Sequence, residues 1–359
     1  MSLAAVFDAQ AEACERLGSP FMARMLRLCG PRLDTSSDPV ARRLADWPGD
    51  VGANGAAIAL RFAGALHALV LTGADDDLIA AYPPHDVTEA TLWQAVDSAL
   101  RRHHTHIMHW LDSAPQTNEV RRSAAMIAAT QTLASALPGL PFRLSELGAS
   151  AGLNLFFDRY ALALPDGTTR GAADPVITLS PDWTGPLPPV AGVTVTDRRG
   201  VDLNPLDPSD PSAVLRLRSY TWPDQPDRMQ RIDAALTVAV PVVDRGDAGD
   251  WLRNRLAAPR PGVIDFVFHT IAWQYFPPET DAACRAALDA AGKRARPDAP
   301  LAHLWVEAEP EQSGARVRLT LWTGGAPEVM ELGRMDPHGR RFDASRDRDI
   351  RPLASPHLS

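Results

Sequence analysis

Glu146, Gly148, Ser150 and Gly152 follow one another at alternate positions in the segment LSELGASAGLN, residues 144–154. Two chemistries use that pattern. Read from Glu146, it is a nucleotide-cofactor loop: a strand ends in a carboxylate, turns through small residues and enters a helix whose N–H groups face the ligand. Read from Gly148, it is the Gly-x-Ser-x-Gly elbow of an esterase, with Ser150 as the nucleophile and Asn154 close behind. Both need a strand before the turn, and the apolar run LPFRL, residues 140–144, supplies it.

Further carboxylates follow at the ends of later strands. Asp202, in RRGVDLNPLD, closes the second expected strand, where an acid can hold both hydroxyls of a ribose. The plainer alternative is an Asx turn or helix cap by Asp202 and Asn204 before Pro205. Glu146 and Asp202 are far more separated than the roughly 20 residues of the usual dinucleotide fingerprint, and an inserted hairpin accounts for the excess. Asp247 follows the third strand and could bond an adenine amino group, with Ala248 leaving room for the ring; a turn aspartate is the alternative. VIDFVFHTIAWQYFP, residues 263–277, is a buried strand running into an aromatic loop. In an open α/β sheet that loop overhangs the ligand crevice, which brings His269, Trp273, Gln274 and Tyr275 there. His269 or Tyr275 would deprotonate or orient an acceptor, and a hydrogen-bonded pocket role is the alternative for the histidine.

The elements that must position these residues fall into two patterns. Residues 1–138 read as helices, among them 21–29, 56–71, a helix from Thr88 to about Leu111, and another from Thr117 or Asn118 to about Ala136. The polar helix start TNEVRR, residues 117–122, is placed to act as a lid or substrate contact. LPGLP at 137–141 is a stop signal and the expected domain boundary. Residues 139–343 alternate strands with helices, which predicts a mostly parallel sheet of seven strands near 142–146, 194–203, 240–244, 263–269, 301–308, 316–323 and 328–334. An inserted β-hairpin is expected near 160–182 around the turn Pro165-Asp166-Gly167, helices at 224–239 and 278–296, and an antiparallel strand pair at the sheet edge after residue 301. Residues 344–359 form a polar tail.

Composition narrows the function. The net charge is −8, which argues against a nucleic-acid groove. Lys293 is the one lysine among 36 basic side chains, so Schiff-base and Walker-type lysine chemistry have almost no candidate. Cys14, Cys29 and Cys284 lack CxxC spacing, which fits a reducing cytoplasm and no disulfide framework. No basic leader and no apolar run of about 18 residues is present, so neither a signal peptide nor a membrane span is expected. The run RRHHTHIMH, residues 101–109, carries His103 and His106 on one helix face without a His-Glu-x-x-His pattern, and is expected to be a solvated or interdomain face rather than a metal site.

Taken together, Glu146 to Gly152, Gly200 to Asp202, Gly246 to Ala248 and Asp265 to Tyr275 resemble the class I S-adenosylmethionine-dependent methyltransferase fold. The wider chain is similar to an uncharacterised bacterial family, a domain of unknown function, that joins a helical N-terminal region to such a core. ELGASAGLN, RGVDLNP and WQYFP carry the likeness. The resemblance implies a Rossmann-like α/β domain preceded by an all-helical one, with S-adenosylmethionine as cofactor. Glu146, Gly148, Ser150, Gly152 and Asn154 would lie at its methionine end, Asp202 on the ribose, and Asp247 with Ala248 on the adenine. The acceptor would be a small molecule, and the resemblance does not name it. Departures from the pattern are Ser150 in place of a frequent middle glycine, the long insertion, and the missing helix between the fifth and sixth strands.

The two alternatives are a serine esterase and a non-catalytic nucleotide-binding protein. An α/β-hydrolase elbow follows several strands and an oxyanion loop of His-Gly-Gly type, whereas the region upstream of Ser150 is helical. Of the downstream histidines, His269, His303 and His338, only His338 lies in a turn of the expected kind.

Overall fold

A computed structural model of the chain describes residues 2–53, 55–238, 242–309, 312–345 and 351–352. By internal contacts the chain divides into two units, Met1–Thr117 with Asp207–Gln230, and Asn118–Leu206 with Arg231–Ser359.

The first unit is helical. Leu3–Arg16, Pro20–Asp34, Pro39–Ala45, Asp76–Ala81 and Glu89–Arg102 begin behind Ser2, Ser19, Asp38, Asp75 and Thr88, each of which accepts a backbone N–H of the first turn. Ile58–Leu71 lacks such a cap and is held instead by burial of most of its length, including Phe62 and Leu66. The helix expected from Thr88 to Leu111 is two helices, because His103 leaves helical geometry (φ −119°, ψ 24°) and His104–Leu111 starts afresh. The His103 ring bonds the buried Asp75 carboxylate at 3.0 Å. A later segment completes this unit: Pro211–Ser219 delivers Tyr220 and Trp222 to the same apolar core as Phe7, Met25 and Phe62. The sequence gives no sign that residues 207–230 return to the helices.

The second unit is an α/β domain. All seven expected strands are present: β1 (Phe142–Leu147), β2 (Val195–Asp202), β3 (Val243–Arg245), β4 (Ile264–Thr270), β5 (Leu301–Glu309), β6 (Gln312–Trp322) and β7 (Glu328–Met335). Residues 239–241, where the third was expected to begin, lie outside the described residues. Parallel pairing sets the order β3-β2-β1-β4-β5, and β6 then runs antiparallel between β5 and β7. The sheet does not stop at seven strands, and it is mixed: the parallel pairing expected for most of it is joined by an antiparallel block from β5 onward. Arg341–Ala344, Asp182–Thr184 and Arg351–Pro352 extend it to ten, so the β5–β6 pair is interior rather than at an edge.

Two other elements differ from expectation. The insertion is a separate three-stranded sheet: Tyr160–Ala163 and Thr169–Gly171 form the hairpin, and Ile177–Leu179 adds parallel to the first. Gly167, at φ +81°, makes its turn. The helix Ser123–Ala136 groups with the sheet, whereas the sequence places the boundary behind it at 138. It is preceded by a 3-10 turn, Val120–Arg122, capped by Glu119 rather than by Thr117 or Asn118. Of the expected tail, residues 346–350 and 353–359 lie outside the described residues. Among the described residues no helix is long and apolar enough to cross a membrane.

Candidate functional site

The strand order reverses between β1 and β4, since β2 and β3 continue to one side of β1 while β4 and β5 continue to the other. In open α/β sheets a crevice for ligands opens at the carboxyl ends of the strands at such a point. The loops that leave β1 and β4 therefore set the chemistry available here.

The loop after β1 turns through Gly148 (φ +67°), Ser150 (φ +53°) and Gly152 (φ +68°). Gly148 and Ala149 donate their N–H groups to the Val201 carbonyl at 2.9 and 3.1 Å, binding the loop to the end of β2. No α-helix follows. A kinked 3-10 segment, Leu153–Arg159, leads straight into the strand at Tyr160. Side chains take backbone groups that a helix start would use: Asn118 Oδ1 accepts from Leu153 N at 2.8 Å, and the Tyr160 hydroxyl donates to the Leu153 carbonyl at 2.7 Å. The expected helix N-terminus facing a ligand is thus replaced by a 3-10 segment whose first backbone groups are already bonded.

Glu146 lies at the end of β1 and is 2% exposed. Its Oε2, with Ser150 Oγ and Asn154 Nδ2, is buried without a hydrogen bond of good geometry, although the Asn154 amide lies near enough to the Glu146 carboxyl to act on it as a donor. Burial holds the Glu146 carboxyl well above the usual carboxylate range, and the charge of Asp202 adds to that. The neighbouring Asn154 amide and the Arg122 charge oppose the shift without cancelling it. Asn154 Oδ1 accepts from Ser123 Oγ at 2.8 Å, which fixes the amide's orientation. Asp202 does what a turn aspartate does, its Oδ1 accepting from Asn204 N, and it also grips the loop, its Oδ2 accepting from Ser150 N, both at 2.8 Å.

The loop after β4 forms the facing wall. Ile271 has φ +51°, a conformation that a β-branched residue adopts only under constraint. The constraint is visible. Arg122 donates to the Thr270 carbonyl at 2.9 Å and to the Pro337 carbonyl at 2.9 Å. Glu307 Oε1 accepts from Ala272 N and Trp273 N at 3.0 Å each, and pairs with His269 Nδ1 at 2.6 Å. The two walls approach closely: a Cβ on Gly148 would come within 2.5 Å of the Ala272 Cβ.

His269 is not over the crevice. Glu146 is in register with Phe268, so alternation along the strands turns His269 to the opposite face of the sheet. It is 0% exposed there, and its Nε2 meets His303 Nε2 at 3.0 Å. Burial and the neighbouring His269 depress the His303 pKa well below the ordinary histidine value. Glu307 titrates below its usual range: burial pushes it up, but the bonds from His269, Ala272 and Trp273 outweigh that. The Glu307 bonds to the loop were not anticipated. The signal existed in the spacing of His303, Trp305 and Glu307, which places all three on one face of β5. Tyr275 stands at the exposed end of the same loop, 53% accessible.

Asp247 is bonded within its own turn. Its Oδ1 accepts from Gly249 N at 2.8 Å and Asp250 N at 3.2 Å, capping the helix Ala248–Arg255, and its Oδ2 accepts the Thr280 hydroxyl. Ala248 is buried beneath it. Ser150 Oγ has no histidine bonded to it, as an esterase nucleophile requires. Among the described residues no group of histidine, cysteine, aspartate and glutamate is arranged to hold a metal ion. In the histidine run, His106 bonds the Ala65 carbonyl at 3.2 Å.

The chain belongs to a bacterial family, described as "Uncharacterized protein conserved in bacteria (DUF2332)", whose match covers residues 4–344. No curated protein matches it.

Proposed function

We propose that this member of the family binds S-adenosylmethionine at the β1 loop and methylates a small molecule. One observation carries the reading. A buried carboxyl, Glu146, with an oxygen that makes no hydrogen bond of good geometry, stands beside Asp202 at the reversal point of the sheet. Two acids at the mouth of such a crevice call for a cation. S-adenosylmethionine has an ammonium and a sulfonium, whereas the two phosphates of NAD would add negative charge to an already acidic loop. Ser150 Oγ and Asn154 Nδ2 supply further polar contacts at the same place, and Gly148 lets the β1 and β4 loops approach where a side chain would meet Ala272.

Glu146, Gly148, Ser150, Gly152 and Asn154 would hold the methionine end, Asp202 the ribose, and Asp247 with Ala248 the adenine. Asp247 would serve as the rim of the adenine site through the turn that it caps. When bound, the cofactor supplies an electrophilic methyl group on sulfur. The protein's part is alignment. Glu307 fixes the loop after β4, Ile271 and Ala272 close the crevice against water, and Tyr275 orients the acceptor from the exposed end of that loop. His269, on the far face, positions the loop through Glu307 rather than touching the acceptor. The acidic chain favours a small molecule over nucleic acid as acceptor.

Calorimetric titration with S-adenosylmethionine, S-adenosylhomocysteine and NAD tests the reading. Binding of either sulfur compound, with NAD inert, supports it, and binding of neither removes it. Labelling of Ser150 by a fluorophosphonate would favour the esterase instead.

A further inference from the structure

The helical unit contains a second group of polar side chains that the methyltransferase reading does not use. Trp110 comes from His104–Leu111, Arg61 from Ile58–Leu71, Arg216 from Pro211–Ser219, and Tyr220 ends that last helix. Tyr220 is 5% exposed, Trp110 6% and Arg61 9%, while Arg216 is half-buried. The Arg216 guanidinium lies 4.4 Å from the centre of the Trp110 ring. Trp110 and Arg216 both lie against the Tyr220 hydroxyl.

Three buried polar atoms in this group, Trp110 Nε1, Tyr220 Oη and Arg216 Nη1, make no hydrogen bond of good geometry, and the acceptor within reach of Trp110 and Arg216 is the Tyr220 hydroxyl that they share. All three can donate, and two of them can do nothing else. Arg61 adds a buried positive charge, with Nε bonded to the Ala56 carbonyl at 2.6 Å and Nη1 to the Leu111 carbonyl at 2.8 Å. Among the described residues, neither Arg61 nor Arg216 has a carboxylate within ion-pair distance. Asp112, whose charge reaches Arg61, is held by Arg43 at 2.5 Å.

Such a cluster is unusual. Buried donors in folded proteins are nearly always paired, and each one left unmade costs about 1–3 kcal/mol. Guanidinium groups taken from water need a counter-charge still more. What the cluster lacks is an acceptor with several lone pairs and negative charge. A carboxylate or phosphate oxygen provides both, and the arginine fork is shaped for it.

We propose that Trp110, Arg216 and Tyr220, with Arg61 adding charge, bind the oxyanion group of a small molecule, a carboxylate or a phosphate. Arg216, half-buried on a flexible stem, is the side chain past which such a group enters. The site is independent of the cofactor reading, since every residue in it belongs to the helical unit.

The test uses the full chain, titrated with inorganic phosphate, with acetate, and with chloride at matched ionic strength, followed by calorimetry and thermal unfolding. Phosphate or acetate is expected to bind and to raise Tm where chloride does not, and the stronger of the two identifies the ligand group. Tyr220→Phe is expected to weaken that binding about tenfold, and Arg216→Met to abolish it. The proposal is overturned if neither oxyanion exceeds chloride, or if both variants bind as the wild type does. Tyr220→Phe keeps the ring that packs against Gly64, so it decides the matter if Arg216→Met does not fold.

Discussion

Asp202 and Glu146 end adjacent parallel strands, and the charge of Asp202 adds to the burial that raises the pKa of the Glu146 carboxyl. The loop accepts a destabilised acid at the point where the strand order reverses, and the proposed ligand site rests on that observation.

Glu146→Gln should therefore stabilise the free protein. An acid whose pKa is raised by folding contributes most below its unfolded value, near 4.5, and loses that contribution as pH rises through the folded value. The variant escapes the loss. Thermal unfolding from pH 4 to 8 should show a Tm gain of a few degrees at pH 8 that shrinks towards pH 4. A lower Tm for the variant at pH 8 would contradict the assignment.

Gly148→Ala should act in the opposite direction. The added methyl meets the Ala272 Cβ at 2.5 Å, and the backbone there has φ +67°. Left-handed backbone costs about 1–2 kcal/mol for a residue with a side chain, and the crowding adds about 1–3 kcal/mol. Urea denaturation should register a loss within the sum of those ranges, and an unchanged midpoint would mean that the two walls move apart freely.

Much of this arrangement was legible in the chain itself. The apolar run LPFRL ahead of Glu146 marks β1, whereas β2 is polar and largely exposed until Gly200 and Val201. The Pro165-Asp166-Gly167 turn likewise announces its hairpin. What the sequence hid depends on contacts between distant segments. Residues 207–230 join the helices through Tyr220 and Trp222, and nothing local distinguishes them from the helices of an α/β crossover. The 3-10 segment after Gly152 exists because Asn118 and Tyr160 claim the Leu153 backbone. The strand end places His269 near the crevice, but the face it takes depends on the register of β1 with β4.

Glu307→Ala should be severely destabilising. It leaves His269, Ala272 N and Trp273 N without their acceptor in the interior, a change worth about 3–5 kcal/mol when a buried pair is broken. The native Glu307 titrates below its usual range, so its contribution is present above about pH 4.5 and fades as pH falls through the folded value. The gap in Tm between wild type and variant should thus narrow in acid. A gap that is equal at pH 7 and pH 3 would refute this role.

In the helical unit, His67 is buried with its Nδ1 on the Ser219 carbonyl, and burial lowers its pKa from 6.5 to about 4. Folding there excludes a proton that the unfolded chain binds, so stability is complete above about pH 6.5 and declines as pH falls towards 4. The decline attributable to His67 is about 3 kcal/mol. His67→Gln should flatten the stability profile between those limits, measured by denaturant titration at successive pH values; an unaltered slope would count against it.

The central claim is that the acidic loop at β1 and β2 holds a cationic adenosine cofactor. The direct measurement is isothermal titration of S-adenosylhomocysteine and S-adenosylmethionine into the wild type and into Asp202→Ala. Because Asp202 accepts from both Ser150 N and Asn204 N, circular dichroism must first show that the variant is folded. The account predicts saturable binding to the wild type and at least a tenfold loss in the variant. Absence of heat with the wild type, or equal affinity in the two proteins, would contradict it.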